Sequence, residues 1–214
     1  MNAKELLSQA EIFDGYLAAC QQDPSNQAAR RLCSYTPWPD QSLGAAYQKY
    51  TKSPLVILDP SAEGGMPHTR AGSIICLPAY FPESKIMTTL QHEEIHVSQR
   101  EFPDFWTDKL RMDGWEPVSS RSAEHEIPEA WLSLCRFNPD TFQSRWWAWR
   151  NYYIPLPLFT RTDKPDLHDI VVRWYDRTSG RVLSSPPTSF TRAYGNVPAS
   201  HMEHPFELFA YKKS

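Results

Sequence analysis

The segment from Ser84 to Phe102 constrains this chain more than any other, because it contains neither glycine nor proline and ends against Pro103. Its apolar residues Ile86, Leu90 and Val97 recur at helix-compatible intervals. Such spacing places them on one face of a helix, where they can pack against a core. The sequence therefore predicts a helix from about Ser84 to Glu101.

This predicted helix carries the motif HEEIH. Residues four apart lie one turn above each other, so His92 and His96 can direct two imidazoles to one divalent ion. Glu93 then projects beside the ion, where a general base belongs, since bound zinc lowers the pKa of water to about 7. The alternative interpretation is a solvated helix face that carries two histidines and several acids by chance.

Composition limits the other classes of function. The chain has 214 residues and 41% hydrophobic residues, which favours a single domain over residues 1–214. The net charge is -3 and the basic residues are scattered, so the electrostatic footprint of a nucleic-acid binder is missing. We therefore expect neither nucleic acid nor another polyanion as a partner.

The N-terminal sequence MNAKELLSQAEIF lacks the basic start, apolar run and cleavage site of a secretory signal. No stretch reaches the length of a membrane span. These features predict a soluble, cytoplasmic protein without membrane contact. Four cysteines without a CxxC pair argue against a thiolate zinc site and predict free thiols, at Cys20, Cys33, Cys76 and Cys135.

The remaining elements indicate an α+β protein. The patterns predict helices in AKELLSQAEIFDGYLAACQQ, IPEAWLSLC, TFQSRWWAWRNYY and HPFELFAYKK, strands in LVILD and GSIICLP, and a hairpin in VVRWYDRTSGRVL. SAEGGMPHTR is predicted as a loop. We expect a small mixed sheet near Leu55 and Ile74, the active-site helix and a largely helical C-terminal half. The aromatic residues of WWAWRNYY are expected in the core.

A catalytic zinc ion normally has three protein ligands, so a third is required. The metzincin extension is excluded, because Gln99 and Phe102 stand where that motif needs glycine and histidine. His125 is more typical of a surface histidine. Three carboxylates compete, and spacing alone leaves all of them open: Glu129, Glu203 and Glu207.

The combination of HEEIH with ELFAY far downstream resembles the gluzincin metallopeptidases, especially the group of anthrax lethal factor and the Pro-Pro endopeptidases. In that group the ligand glutamate opens an E-x-F-A helix, which Glu207, Phe209 and Ala210 match. The resemblance implies a zincin-like fold, with the metal cleft between an N-terminal sheet and helix part and a C-terminal part. It also implies Zn²⁺ held by His92, His96 and Glu207, with Glu93 as the base. Glu129 stays open as the alternative third ligand.

The chain departs from this group at one position. A tyrosine about two helical turns before the ligand glutamate helps to stabilise the oxyanion in those peptidases, whereas this chain has Ser200 near that place. Tyr194 is the nearest upstream tyrosine and is a candidate substitute. His204 and His201 are alternative donors.

Two further segments lie near the expected cleft. In RFNPD we expect Asp140 to cap the following segment or to pair with Arg136. GSIICLP is a candidate for the edge strand that receives an extended substrate, with His68 or Arg70 at the cleft mouth.

The function predicted from these features is zinc-dependent hydrolysis of a peptide or protein substrate, by a metalloendopeptidase in which Glu93 activates water. Two alternatives come from other classes. One is a metal-binding pseudoenzyme or interaction protein, and the other is a non-heme iron enzyme with a His-His-carboxylate triad.

Overall fold

The computed structural model describes residues 1–213 and has an α+β architecture. The described helices are α1 (Ala3–Asp14), α2 (Tyr16–Gln22), α3 (Pro24–Ala29), α4 (Ser42–Tyr47), α5 (Glu83–Glu101), α6 (Pro103–Met112), α7 (Ser120–Glu126), α8 (Glu129–Leu132), α9 (Thr188–Tyr194), α10 (Ala199–Met202) and α11 (Pro205–Lys213). The described strands are β1 (Leu55–Leu58), β2 (His68–Arg70), β3 (Ile74–Pro78), β4 (Trp115–Pro117), β5 (Trp147–Trp149), β6 (Tyr153–Phe159), β7 (Ile170–Asp176) and β8 (Arg181–Leu183).

Helix α5 confirms the prediction from the segment without glycine or proline. It starts directly after Pro82 and places Glu83 in its first turn, where a carboxylate is favoured by the helix dipole. Its apolar face, with Ile86 and Leu90, packs against the small sheet. The polar residues of the HEEIH motif therefore point along the side of a helix that is fixed by its core contacts.

The small sheet has the strand order β1-β3-β2, with a parallel and an antiparallel pairing. Strand β3 is fully buried and lies in the centre, so the prediction that GSIICLP forms the edge strand is wrong. One edge strand is β1, and the other is β2, which lies in a segment predicted as loop. Its outward backbone groups are already used, because the Thr69 N–H donates to Asp140 and the Thr69 carbonyl accepts from Arg100.

The expectation of a largely helical C-terminal half is wrong. Strands β4 to β8 form a five-stranded antiparallel sheet in sequence order. The run WWAWRNYY forms strand β5, a tight turn and the start of β6. Arg150 and Asn151 in this turn have φ angles of 49° and 62°, the left-handed pair of a hairpin turn.

Strand β6 contains Pro155 and Pro157, which correctly exclude a helix but do not exclude a strand. The Pro157 carbonyl accepts from the Arg136 N–H. The ring nitrogen of Pro157 lies on the same side of the strand, so it faces the segment around Arg136 and not strand β7. The predicted hairpin of β7 and β8 is confirmed.

Two predicted helices are shorter than expected. The N-terminal helix divides into α1 and α2 at Gly15, whose φ of 59° ends α1 in the left-handed conformation. IPEAWLSLC contains only the single turn α8. The predicted helix at Pro205 is confirmed as α11.

The three tryptophans of the aromatic run lie in the core, as predicted, whereas Tyr152 of the same run is exposed. Trp147 and Trp149 are buried and join a cluster with Trp115, Trp174 and Phe190. The four cysteines are free thiols, also as predicted. No helix in residues 1–213 is both long enough and apolar enough to cross a membrane.

Candidate metal centre

Helices α5 and α11 bring together His92, His96 and Glu207. The Nε2 atoms of the two histidines are 3.1 Å apart, and each lies 3.4 Å from Oε2 of Glu207. Three atoms bound tetrahedrally to zinc at about 2.0–2.1 Å would be separated by about 3.3 Å. The donor types and their separations therefore fit a zinc ion.

Gln99 fixes the orientation of His96. Its Nε2 donates to the Phe206 carbonyl over 3.1 Å, so its Oε1 faces the ring of His96 at 2.8 Å. Because this oxygen can only accept, Nδ1 of His96 carries the proton. A metal ligand needs the neutral ring, and in that form Nε2 is the nitrogen available to a metal ion, which is the usual arrangement at zinc sites.

The charges at the cluster are strongly coupled. Burial alone would lower the pKa of His96, but the carboxylates of Glu207 and Asp140 outweigh burial and raise it to about 10. Burial alone would raise the pKa of Glu207, yet His96 and His92 hold it well below its usual range. The site therefore holds an ionised carboxylate that favours a cation between the histidines.

A buried hydrogen-bond network supports Glu207 from its other oxygen. Asn138 Nδ2 donates to Glu207 over 2.8 Å and to Glu203 over 2.7 Å. Arg136 forms an ion pair with Glu203 at 2.6 Å. The predicted pairing of Arg136 with Asp140 is thus wrong, since Asp140 accepts from the backbone and hydroxyl of Thr69 instead.

Glu93 lies beside the cluster and not within it. Its side chain is buried and lines the cavity next to His92, and its Oε2 has no hydrogen-bond partner. Burial, followed by the charge of Asp140, raises the pKa of Glu93 well above its usual range. A carboxyl group with a raised pKa is suited to accepting and returning a proton near neutral pH.

These groups face one cavity with a volume of about 400 Å³. Residues on β2, α5, α10 and α11 contribute to its wall, and the segment before β7 closes another side. Its lining includes His68, Glu93, Ser200, Glu207 and Tyr211. The resemblance expects a tyrosine near position 200. This position faces the cavity, but the residue there is Ser200.

Glu129 and Glu203 do not join the ligand cluster. Glu129 is exposed at the start of α8, as expected for an acid in a first helical turn. Glu203 is buried but committed to Arg136 and Asn138. His125 is exposed on α7. Among residues 1–213, the histidine and carboxylate group able to hold a metal consists of His92, His96 and Glu207.

The candidate oxyanion donors lie elsewhere. The Tyr194 hydroxyl accepts from Trp115 Nε1, and its ring packs on Trp149 in the aromatic cluster, outside the cavity wall. His204 is buried with both ring nitrogens engaged, by the Ser144 carbonyl and the Phe206 N–H. Neither side chain is placed to meet a substrate in this cavity.

Tyr211 was not singled out from the sequence. Its ring lies against His92 with centroids 4.4 Å apart and stacks on His201 at 3.8 Å. It follows Glu207 by four residues on α11, so the helical spacing that linked the two histidines also pointed to it. Asn138 and Gln99 were likewise missed as supports of the ligands.

Comparison of the chain with protein-family models, with curated proteins and with solved structures returned no match.

Proposed function

We propose that this protein is a zinc-dependent hydrolase that cleaves peptide bonds. One observation carries the proposal: two histidines and a glutamate converge within zinc-ligand distance while the buried carboxyl group of Glu93 lines the same cavity without a partner at Oε2. The choice of a peptide bond rests on the resemblance of the HEEIH and ELFAY helices to gluzincins.

In this proposal His92, His96 and Glu207 hold the ion. When bound, zinc would supply Lewis acidity that lowers the pKa of a water molecule and polarises a substrate carbonyl. Gln99 keeps Nε2 of His96 directed to the ligand position, and Asn138 keeps Glu207 in place.

Glu93 acts as the general base and then as the general acid. Its carboxylate takes a proton from water, and the resulting carboxylic acid returns that proton to the leaving amine. Its burial favours the neutral form after proton uptake, which supports this exchange. Tyr211 lies in the cavity wall, and its hydroxyl is the proposed hydrogen-bond donor to the developing oxyanion.

The test compares Glu93→Gln with Glu94→Gln. Glu94 sits on the same helix but bonds to the Thr51 hydroxyl, away from the cavity lining. Both variants and the wild type would be assayed for bound zinc by elemental analysis and for cleavage of a mixed peptide library by mass spectrometry. We expect stoichiometric zinc in all three, and at least a hundredfold loss of hydrolysis in Glu93→Gln alone.

Three outcomes would overturn the proposal. Undiminished hydrolysis in Glu93→Gln, or none in the wild type, would remove the enzymatic role. Stoichiometric iron with little zinc, in protein purified without added metal, would remove the zinc assignment.

A further inference from the structure

His68 is a buried histidine in the cavity wall that the proposed reaction does not use. It begins the edge strand β2 and is 2% exposed. Its Nδ1 lies 3.2 Å from the Met66 carbonyl, which can only accept, so this nitrogen carries a proton. Nε2 has no hydrogen-bond partner.

Burial favours the neutral form of the His68 ring. Burial lowers its pKa and outweighs the carboxylates of Glu63 and Asp140, which act in the opposite direction. Since Nδ1 holds the single proton, Nε2 presents a lone pair that can only accept a hydrogen bond. A buried acceptor without a donor is costly and uncommon in folded proteins.

The two carboxylates that act on His68 supply no donor to Nε2. Glu63 and Asp140 are acceptors that are themselves engaged, Glu63 by Arg30, Tyr16 and Tyr35, and Asp140 by Thr69. Because His68 lines the cavity, a molecule bound there can supply the donor that Nε2 lacks.

The backbone of β2 offers no substitute for this contact. In a strand paired on one side, alternate residues direct their N–H and C=O outward, and in β2 that residue is Thr69. Both of its groups are occupied, by Asp140 and Arg100. An extended peptide therefore cannot add to this edge as a further strand, and recognition falls to side chains of the wall.

We propose that Nε2 of His68 is a substrate-binding acceptor that takes a hydrogen bond from a backbone N–H of the bound peptide. The identification of the ligand as a peptide, and so of the donor as an N–H, rests on the proposed function, whereas the need for a hydrogen-bond donor rests on the geometry of His68 alone. A free terminal amine carries the same donor chemistry, and the experiments separate it from an internal amide.

The first experiment needs no catalysis. The zinc-loaded full chain with isotope-labelled histidine is titrated with N-methylacetamide, which has an amide N–H, and with N,N-dimethylacetamide, which has none. The Nε2 resonance of His68 is assigned by its loss in His68→Leu, and exposed His125 serves as an internal reference. We expect the first amide alone to shift the His68 resonance. Equal shifts with both amides, or none with either, would overturn the proposal.

The second experiment uses the peptide that the wild type cleaves best. Each amide is N-methylated in turn, and the N-terminus is acetylated in a separate peptide. One methylated amide should raise KM roughly twofold to tenfold in the wild type, the value of one neutral hydrogen bond, with little change in kcat. An effect of acetylation instead would identify the terminal amine as the donor and exclude an internal amide.

The penalty for that methylated amide should disappear in His68→Leu and return in His68→Gln, which restores an acceptor. His125→Gln is the control, because His125 is exposed on α7. This variant should show the same penalty for the methylated amide as the wild type. A penalty of the same size in His68→Leu would overturn the assignment of His68. Absence of cleavage by the wild type would instead contradict the proposed function, while the amide titration would still decide the role of His68.

Discussion

Asn138 joins the candidate metal centre to a buried ion pair, and its amide contacts two carboxylates at once. Replacing it with alanine removes the donor that orients Glu207 and leaves Glu203 and Glu207 facing each other without that shared donor. We expect Asn138→Ala to weaken zinc binding by roughly 10–100-fold, the usual effect of losing a partner of a metal ligand. Competition with a chromophoric chelator measures this affinity.

The matched control is Asn196→Ala, at an exposed asparagine. Its affinity should equal that of the wild type. An unchanged affinity in Asn138→Ala, with the fold intact by circular dichroism, would show that Glu207 does not need the amide.

Single residues were predictable where their relation lies within one helix. The relation of His92, Glu93 and His96 follows from helical spacing alone, and Glu207 was added as a candidate ligand through a resemblance. Asn138 was not predictable, because its contact with Glu207 joins positions 69 residues apart that only the fold brings together. The segment RFNPD around Asn138 suggested a local turn. Nothing in that segment indicated that Asn138 would contact Glu207.

At the scale of elements, Gln99 links α5 to the start of α11. Replacing it with leucine leaves Nδ1 of His96 buried without a partner and removes the side-chain hydrogen bond to the Phe206 carbonyl. We expect Gln99→Leu to lower the free energy of unfolding by about 1–3 kcal/mol. Amide hydrogen exchange in α11 should become faster than in the wild type, because this helix loses its polar attachment to α5.

Gln91→Leu is the control for this change, since Gln91 lies on the same helix but is exposed. Amide hydrogen exchange in α11 should be the same in Gln91→Leu as in the wild type. If both variants accelerate exchange equally, the effect comes from helix α5 as a whole and not from the contact with Phe206.

A second inter-element contact predicts a pH dependence. Asp14 at the end of α1 pairs with Arg70 of β2 at 2.7 Å, and the two side chains are 3% and 2% exposed. Burial would raise the pKa of Asp14, but hydrogen bonds and charge from Arg70 leave it below 3.8. The pair therefore stabilises the fold above pH 3.8, and this contribution is lost as the pH falls through the lowered pKa.

Asp14→Asn should lower the free energy of unfolding at pH 7 by roughly 2–4 kcal/mol, somewhat less than usual for a broken buried pair because Glu11 also contacts Arg70. The difference from the wild type should shrink as the pH falls below about 4. Urea titrations at several pH values measure it, with exposed Asp104→Asn as the control. A difference that stays constant down to pH 2 would contradict the pairing.

Elements were predictable where local chemistry decides them. Helix α5, strand β1 and the β7–β8 hairpin have the expected periodicity or turn residues. Strand β5 was misassigned, because its turn uses Arg150 and Asn151 in left-handed conformations without the glycine that usually marks such a hairpin. Strand β6 was hidden by two prolines, which a strand tolerates only where a neighbouring strand does not need their N–H.

At the scale of the whole molecule, the α+β class followed from the mixture of patterns, but the second sheet did not. Strand order and pairing depend on contacts between distant segments, for which one sequence gives little signal. The structure shows the consequence for the site: α5 packs on the three-stranded sheet, whereas α11 packs into the aromatic cluster of the five-stranded sheet. The three candidate ligands thus come from both halves of the chain.

A metal ion held between these halves should stabilise the folded state by binding to it alone. At a free zinc concentration one hundred times the dissociation constant, this linkage amounts to about 2.7 kcal/mol. For a chain of this size the corresponding rise in Tm is about 5–10 °C. Scanning calorimetry of the zinc-loaded and chelated protein measures the difference. Glu93→Gln should keep it, because Glu93 is not a ligand, and Glu207→Gln should lose most of it. An equal Tm with and without zinc in the wild type, or an undiminished shift in Glu207→Gln, would show that α5 and α11 do not share an ion.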